Sequence, residues 1–289
     1  MSRLKHPVAR WIILLVLFAG AALAISPAHA EAVVTVCTQE ELEARILEAR
    51  ENEGDGVVTF DCDGVIQLTN TIFLRHYAEI GTNDPGWGNS ITLDGTGRGI
   101  SINGLAETGA TNGVRLFLVD SGVSLILTNI NFFNGAATNG AAIYLATNSS
   151  LIAVSCTFSN NIVTGSNGLA GASARTDTVD GKGGGGRSGA AAVASSGGGA
   201  IYNLGYAWFS HCAFLTNGVF AGNGGNGTVR GGDGGHGGRG GAALGGAIYN
   251  QGRLVTTNCS FYANFALGGL GGEGGAGGTG VFSGQQGHQ

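Results

Sequence analysis

The acidic side chains are the residues whose types could support catalysis. Cleavage of a polysaccharide needs clustered carboxylates that bind calcium or act as an acid/base pair, with an Arg or Lys beside them in the lyases. The best such set is Asp94, Arg115 and Asp120, while the other early carboxylates are scattered. After Asp120 the only acids are Asp177, Asp180, Asp233 and Glu273, all in glycine-rich stretches. The sequence therefore predicts no catalytic site, with a polysaccharide lyase or glycoside hydrolase as the alternative.

The N-terminal residues 1–30 have the pattern of a secretory signal peptide. Three basic residues precede an apolar run at 11–23, and an A-x-A cleavage site follows. The run is shorter than the roughly 20 residues of a spanning helix, so cleavage between Ala30 and Glu31 is favoured over a membrane anchor. The sequence thus predicts a secreted or cell-surface protein with no membrane-spanning segment in the mature chain.

Charge and composition narrow the class of protein. The chain carries 14 basic and 19 acidic residues, a net charge of −5, and loss of the basic leader makes it more acidic. An acidic chain with no basic stripe argues against nucleic acid or anionic lipid as a partner. The 56 glycines lack a strict G-X-Y period, which excludes collagen and indicates a repeat scaffold carrying low-complexity loops.

One unit recurs through the second half of the chain. Its clearest copy, at 245–264, reads GGAIYNQGRLVTTNCSFYAN, and earlier copies lie at 198–217, 140–161 and, eroded, 117–135. When the copies are aligned, like residues form columns. The columns hold Leu125, Leu151, Ala207 and Leu254; Asn129, Ser155, His211 and Asn258; Ile130, Cys156, Cys212 and Cys259; Phe132, Phe158, Phe214 and Phe261; and Gly135, Asn161, Asn217 and Asn264.

The pattern inside each copy predicts the fold. Apolar residues alternate, change phase at the Asn-type column and alternate again, which indicates two short strands joined by a one-residue corner. The 26 residues from Leu125 to Leu151 suffice for a coil of three short strands. Because one coil cannot bury its apolar face alone, coils must stack with like residues above like. The sequence predicts an all-β parallel β-helix over 57–264, with roughly six coils.

The cysteines of the repeat are predicted to be structural. Cys156, Cys212 and Cys259 share a column with Ile130, so we interpret them as small buried hydrophobes. Disulfides between stacked neighbours fit poorly because the Cβ vectors are parallel. Zinc would need a fourth ligand, and only His211 is near in sequence. We predict no metal and no cofactor.

Residues 31–56 are predicted to form a strand and a capping helix. Thr38 begins a capping box, and an apolar face at i, i+4 and i+7 follows it. Such a helix is suited to cover the open end of the first coil. Cys37 and Cys62 flank the helix in an exported chain, so we predict a disulfide between them, with two free thiols as the alternative.

Glycine-rich stretches interrupt the repeat at 162–197 and 218–244, and a third forms the tail at 265–289. Each begins directly after the asparagine of the last column, Asn161, Asn217 or Asn264, so stacking would make all three leave the solenoid from one corner. Neither a calcium-binding nonapeptide nor a phosphate-binding loop is complete in them. We interpret them as flexible surface spacers, and the tail as an interrupted further coil.

The pairing of GGAI (198–201, 245–248) with FxxN (158–161, 214–217, 261–264) resembles the repeats of polymorphic outer membrane proteins. More broadly, residues 33–264 are similar to right-handed parallel β-helix, pectate-lyase-like surface proteins of bacteria. The resemblance implies a right-handed solenoid at the outer membrane or outside the cell. It also implies a structural or adhesive role, with surface glycans or host and matrix proteins as partners. The oligomeric state is not fixed by the sequence.

Overall fold

The computed structural model describes residues 32–51, 56–76, 89–105, 113–171, 190–192, 196–228 and 234–276. The predicted signal peptide and its cleavage site at Ala30 and Glu31 lie outside these residues.

The described residues form one helix and a series of short strands. In chain order these are β1 (Ala32–Val34), α1 (Gln39–Glu51), β2 (Gly56–Phe60), β3 (Gly64–Gln67), β4 (Ile72–Leu74), β5 (Ser90–Asp94), β6 (Ile100–Asn103), β7 (Phe117–Val119), β8 (Ser124–Thr128), β9 (Asn131–Phe133), β10 (Ala136–Ala137), β11 (Ile143–Leu145), β12 (Ser150–Val154), β13 (Thr157–Ser159), β14 (Ile162–Thr164), β15 (Ser196–Gly197), β16 (Ile201–Asn203), β17 (Tyr206–Ser210), β18 (Ala213–Leu215), β19 (Gly218–Phe220), β20 (Ala243–Leu244), β21 (Ile248–Asn250), β22 (Arg253–Thr257), β23 (Ser260–Tyr262) and β24 (Phe265–Leu267).

Parallel pairing of these strands builds a parallel β-helix. The long sheet runs β1-β2-β5-β8-β12-β17-β22, the second sheet β3-β6-β9-β13-β18-β23 and the third sheet β4-β7-β11-β16-β21. The strands that directly follow β9, β13, β18 and β23 in the chain form a fourth sheet, β10-β14-β19-β24. The two short strands β15 and β20 pair with each other. From β2 onward, successive strands of the chain fall in different sheets, and each strand pairs with its equivalent one coil earlier. The chain is therefore an all-β solenoid, as the repeat predicts.

The apolar columns lie in register inside the solenoid. Leu151 pairs with Leu125 on one side and Ala207 on the other, and Ala207 pairs with Leu254. The phenylalanines stack face to face, with ring centroids 5.1, 5.0 and 4.8 Å apart along the series Phe132, Phe158, Phe214 and Phe261. A buried aromatic side chain contributes about 1.5–3 kcal/mol, so this column is a main source of stability.

Two sets of corner residues turn the chain between sheets. The predicted corner is left-handed: Asn129, Ser155, His211 and Asn258 have φ of 53, 54, 54 and 52°. A second left-handed corner follows five residues later, at Asn134, Asn160, Thr216 and Ala263, with φ of 54, 52, 53 and 52°. Asn favours this conformation, whereas Thr and Ala rarely adopt it. The alignment did not predict the second corner because its later copies have lost the Asn signal.

The helix α1 covers the N-terminal end of the solenoid. Its apolar face, Leu42, Ile46 and Ala49, is buried and packs against β1 and β2. The Thr38 hydroxyl accepts the Glu41 N–H at 3.3 Å, which caps the first turn. A disulfide between Cys37 and Cys62 ties the start of the helix to the end of β2.

The glycine-rich stretches correct one prediction, because their described parts are packed rather than flexible. Residues 165–171, 190–192, 221–228, 234–242 and 267–276 lie side by side, and we call them the glycine slab. The N–H groups of Gly165, Gly168 and Gly171 donate to the carbonyls of Phe220, Asn223 and Asn226 at 2.7, 2.7 and 2.8 Å. Hydrogen bonds that recur every third residue between segments match the three-residue turn of a polyproline II helix.

Close packing explains why the slab is made of glycine. A Cβ on Gly225 would lie 2.0 Å from the Leu169 carbonyl oxygen, and one on Gly238 would lie 2.0 Å from that of Ala190. Buried glycines therefore recur at every third position, and exposed side chains such as His236 and Arg239 follow them. The predicted insertion boundaries also shift, because β14 and β19 open the insertions as strands of the fourth sheet while β15 and β20 close them.

Candidate functional site

The FxxN asparagines form a hydrogen-bonded ladder inside the protein. Asn161 and Asn217 are fully buried. The Asn161 Nδ2 donates to the Phe132 carbonyl at 3.2 Å and to the Asn217 Oδ1 at 2.9 Å. The Asn217 Nδ2 repeats the pattern toward Phe158 and Asn264, both at 2.9 Å. Because each amide bonds to the coils on both sides, these residues join the coils and are not a ligand site.

The acidic constellation is not assembled into a catalytic site. The Asp94 carboxylate accepts the Thr96 N–H at 2.9 Å, and that of Asp120 accepts the Ser121 N–H at 2.8 Å. Both carboxylates therefore stabilise local turns. Arg115 donates to the carbonyls of two neighbouring residues, Asn139 at 2.8 Å and Gly140 at 3.1 Å. No ion pair within the described ranges joins Arg115 to either carboxylate.

Burial lowers the pKa of the Arg115 guanidinium, because desolvation disfavours its charged form. Its carbon Cζ also lies 5.2 Å from the centre of the Tyr144 ring. Of the later acids, Glu273 lies exposed on the glycine slab, while Asp177, Asp180 and Asp233 are outside the described residues. The Asp94 and Asp120 carboxylates therefore stabilise turns and are not grouped with Arg115 in one site.

The cysteine column lies beside the phenylalanine stack. Cys156 and Cys212 are 1 and 2% exposed, and Cys259 is half-buried. Hydrogen bonding with the Cys212 thiol, together with burial, raises the pKa of Cys156. In the part of the chain that the structure describes, no group of three or more His, Cys, Asp or Glu residues could hold a metal ion.

His211 serves the corner at which it lies. Its Nδ1 is 3.0 Å from the Ser210 hydroxyl, and its Nε2 is 3.2 Å from the Asn258 Nδ2 in the next coil. Both ring nitrogens therefore have polar neighbours in the corner columns. This geometry makes the imidazole a bridge between coils.

The tyrosines of the third sheet stack on one another at the surface. The Tyr144 and Tyr202 rings are 5.3 Å apart with 6° between their planes, and Tyr249 lies 4.9 Å from Tyr202. Burial raises the pKa of Tyr202. Because the ring faces contact each other, they are not free to stack on a sugar, and the tyrosines act mainly as packing.

The outer face of the long sheet carries an apolar row that no other element covers among the described residues. Ile126, Ile152, Trp208 and Val255 are directly paired in register on neighbouring strands. All four point away from the core, and each is partly exposed. We call this row the outer stripe. Its members were in the aligned sequence, between the inward columns, but their identities vary too much to form a recognisable column.

The flanks of the outer stripe carry hydroxyl groups and little charge. On one side, the Ser124 and Ser150 hydroxyls hydrogen-bond to each other. Next to them, the Arg253 guanidinium lies 5.4 Å from the centre of the Tyr206 ring. The other side holds Thr128, Val154, Ser210 and Thr257. An apolar row flanked by hydroxyls can contact an uncharged ligand through both dispersion and hydrogen bonds.

The described residues contain no helix that is long and apolar enough to cross a membrane. In comparisons with protein-family models, with curated proteins and with solved structures, no match to this chain was found.

Proposed function

We propose that this protein is exported and has a structural or adhesive role, binding surface glycans or host or matrix proteins through the outer stripe. The observation that carries the proposal is the in-register, outward-facing row of Ile126, Ile152, Trp208 and Val255. Contiguous apolar surface on a soluble domain is typical of interaction sites. Trp is also among the residues that contribute most to binding energy when a partner covers them.

Two further observations support a binding role over catalysis, and a third supports export. The repeat region around the stripe carries almost no charge, with Arg253 its single charged residue at 245–264. The carboxylates that could serve a lyase are engaged in turns at Asp94 and Asp120. Export is supported by the leader pattern at 1–30, and the Cys37–Cys62 disulfide agrees with an oxidising compartment.

Binding to a glycan array and to immobilised matrix proteins tests the proposal. Wild-type protein should bind at least one ligand saturably, and Trp208→Ala should weaken that binding about tenfold or more. Phe73→Ala is the matched control, because Phe73 is an exposed aromatic on the third sheet, 50% accessible and away from the stripe. Equal binding by wild type and Trp208→Ala would remove the stripe from the proposal.

An assay for bond cleavage tests the alternative. The protein is incubated with pectin, alginate and other polyuronides in the presence of calcium, and unsaturated or reducing ends are measured. We expect none above background. Release of such ends that is lost in Asp94→Asn or Asp120→Asn would replace the binding role with lyase or hydrolase activity.

A further inference from the structure

The helix α1 lies beside the strand β4, and a buried side chain of the helix joins the two at each end. Near the helix start, the Gln39 Oε1 accepts the Thr69 N–H at 2.7 Å, and the Gln39 Nε2 donates to the Asn70 carbonyl at 3.2 Å. In the last turn, the Arg50 guanidinium donates to the Arg75 carbonyl. The helix from Gln39 to Arg50 and the extended chain from Asn70 to Arg75 both span about 16 Å. The two elements therefore run in the same direction.

Between these two contacts the helix and the strand leave a groove of about 390 Å³, which is within the usual range of ligand sites. On the helix side, Glu43, Ile46 and Leu47 share one face because they are three and four residues apart. Leu47 is 46% exposed there. We call this space the strand groove; Glu43, Ile46, Leu47, Thr71 and Arg75 lie along it.

The backbone of β4 presents an open edge to the strand groove. On its other side β4 pairs with β7: the Ile72 N–H donates to the Leu116 carbonyl, and the Leu74 carbonyl accepts the Asp120 N–H, both at 3.0 Å. Because successive residues of a strand direct their backbone groups to opposite sides, the N–H and C=O of Phe73 point toward the groove. No backbone group of the described residues bonds to them. Such an edge can pair with an added strand.

Charge gives the strand groove a direction. The Arg75 guanidinium is exposed and forms no ion pair with a carboxylate of the described residues. Arg50 lies at the same end, next to the Arg75 carbonyl. Glu43 lies toward the opposite end, where its carboxylate accepts the Gln39 Nε2 at 2.7 Å. The end of the groove beyond β4 is therefore positive and suits a carboxylate.

We propose that the strand groove binds an extended peptide, which adds a strand to β4 and places a carboxylate at Arg75. The peptide backbone accepts the Phe73 N–H and donates to the Phe73 carbonyl, while an apolar side chain packs against Ile46 and Leu47. A peptide that runs parallel to β4 continues the pairing of the third sheet, and its C-terminal carboxylate then reaches Arg75. The site shares no residue with the outer stripe, so this proposal is independent of what the stripe binds.

Fluorescence anisotropy of a labelled peptide tests strand addition on the full chain, as secreted by its expression host. The probe is the hexapeptide Thr-Val-Thr-Val-Thr-Val, labelled at its N-terminus, with a free carboxylate. Wild-type protein should bind it saturably, and N-methylation of one set of alternate amides should abolish binding, because only that set faces β4. N-methylation of the other set should preserve it. Equal binding of the two methylated peptides, or no saturable binding up to about 1 mM, would overturn the proposal.

Variants test the position and direction of the peptide. Leu47→Glu adds bulk and negative charge to the groove and should weaken binding about tenfold or more. Ala44→Glu is the matched control, because Ala44 is exposed on the same helix and does not line the groove. Equal binding by these two variants would overturn the proposed site.

The direction is tested with a probe that ends in an amide. Wild-type protein should bind the amide about tenfold more weakly than the free carboxylate, and Arg75→Gln should bind both equally. A preference for the carboxylate that persists in Arg75→Gln would overturn the assigned direction. Far-UV circular dichroism establishes that each variant is folded, and the comparison of N-methylated peptides needs no variant.

Discussion

The side-chain amide of Asn217 donates from Nδ2 to the Oδ1 of Asn264 in the next coil at 2.9 Å. The backbone N–H of Asn217 donates to the same oxygen, also at 2.9 Å. One carbonyl oxygen thus satisfies two donors of the preceding coil, and Asn161 stands in the same relation to Asn217. This ladder lets a polar residue occupy the core at a point where the chain turns into the fourth sheet.

Removal of one member of the ladder should be costly. Asn217→Ala leaves the N–H and Nδ2 of Asn161 without their acceptor, and the Phe158 carbonyl without a donor. Because buried unsatisfied groups keep their desolvation penalty, the free energy of unfolding should fall by about 2–4 kcal/mol in urea titrations. The control Asn131→Ala removes only an exposed bond to Ser101 and should change it by about 0.5 kcal/mol or less. Similar losses in both variants would contradict the ladder's role.

Substitution inside the glycine slab should loosen it without melting the solenoid. In Gly225→Ala the new Cβ would lie 2.0 Å from the Leu169 oxygen. Amide hydrogen exchange should therefore accelerate in 165–171 and 221–228, while β17 and β18 keep their protection. Gly271→Ala is the control, because the nearest atom to its Cβ would be 3.8 Å away. Unchanged exchange in Gly225→Ala would mean that these segments are flexible spacers.

Acid should remove a contribution of Asp63 to stability. The Gly99 N–H donates to its carboxylate at 2.8 Å and Arg98 lies 3.3 Å away, which together lower the pKa of Asp63 below its usual range. A lowered pKa in the folded state stabilises the protein above the unfolded-state pKa, and this gain is lost as the pH falls through the folded-state value. Asp63→Asn should thus be less stable than wild type at neutral pH, and the difference should shrink below about pH 4. A difference in unfolding midpoint that does not depend on pH would contradict this linkage.

The disulfide should stabilise the capped end. It closes a loop with a sequence separation of 25 residues, for which restriction of the unfolded chain predicts about 3 kcal/mol. The double variant Cys37→Ser/Cys62→Ser should lower the free energy of unfolding by that amount in guanidinium titrations. Cys259→Ala, which removes a half-buried thiol outside the disulfide, should cost clearly less. A double variant with the same free energy of unfolding as wild type would show that the bond adds no stability.

The inward columns could be predicted from the sequence because stacking makes them repeat. Leu125, Leu151 and Ala207 are buried in one column, so an alignment of the copies is already a map of contacts. The outward positions of the outer stripe need not repeat the same residue in each coil, because they face solvent. Side chains as different as Ile126 and Trp208 can therefore occupy equivalent positions. That is why the fold could be predicted and the candidate binding surface could not.

The order of the glycine slab could not be predicted from the sequence for a different physical reason. Glycine usually signals flexibility because it loses the most conformational entropy on folding. Here the period of three was visible, with His236 and Arg239, and then Leu270 and Glu273, each following two glycines. A single such segment has no hydrogen bonds of its own, so its order depends on neighbours that are distant in sequence. The local sequence pattern does not show which distant segments will pack against it.

In the glycine slab, the exposed side chains and most of the backbone N–H groups that join the segments belong to different positions of the three-residue period. Exposed residues such as His236 and Arg239 repeat at about 9 Å along a segment, three times the rise of about 3.1 Å per residue. The segments themselves are joined by backbone groups at the buried glycines. A change at an outward position such as Arg239 therefore alters the surface that the slab presents while these backbone hydrogen bonds stay the same. Folding limits the diversification of such a face only where an outward side chain, as at Asn223 and Asn226, accepts an N–H group of the next segment.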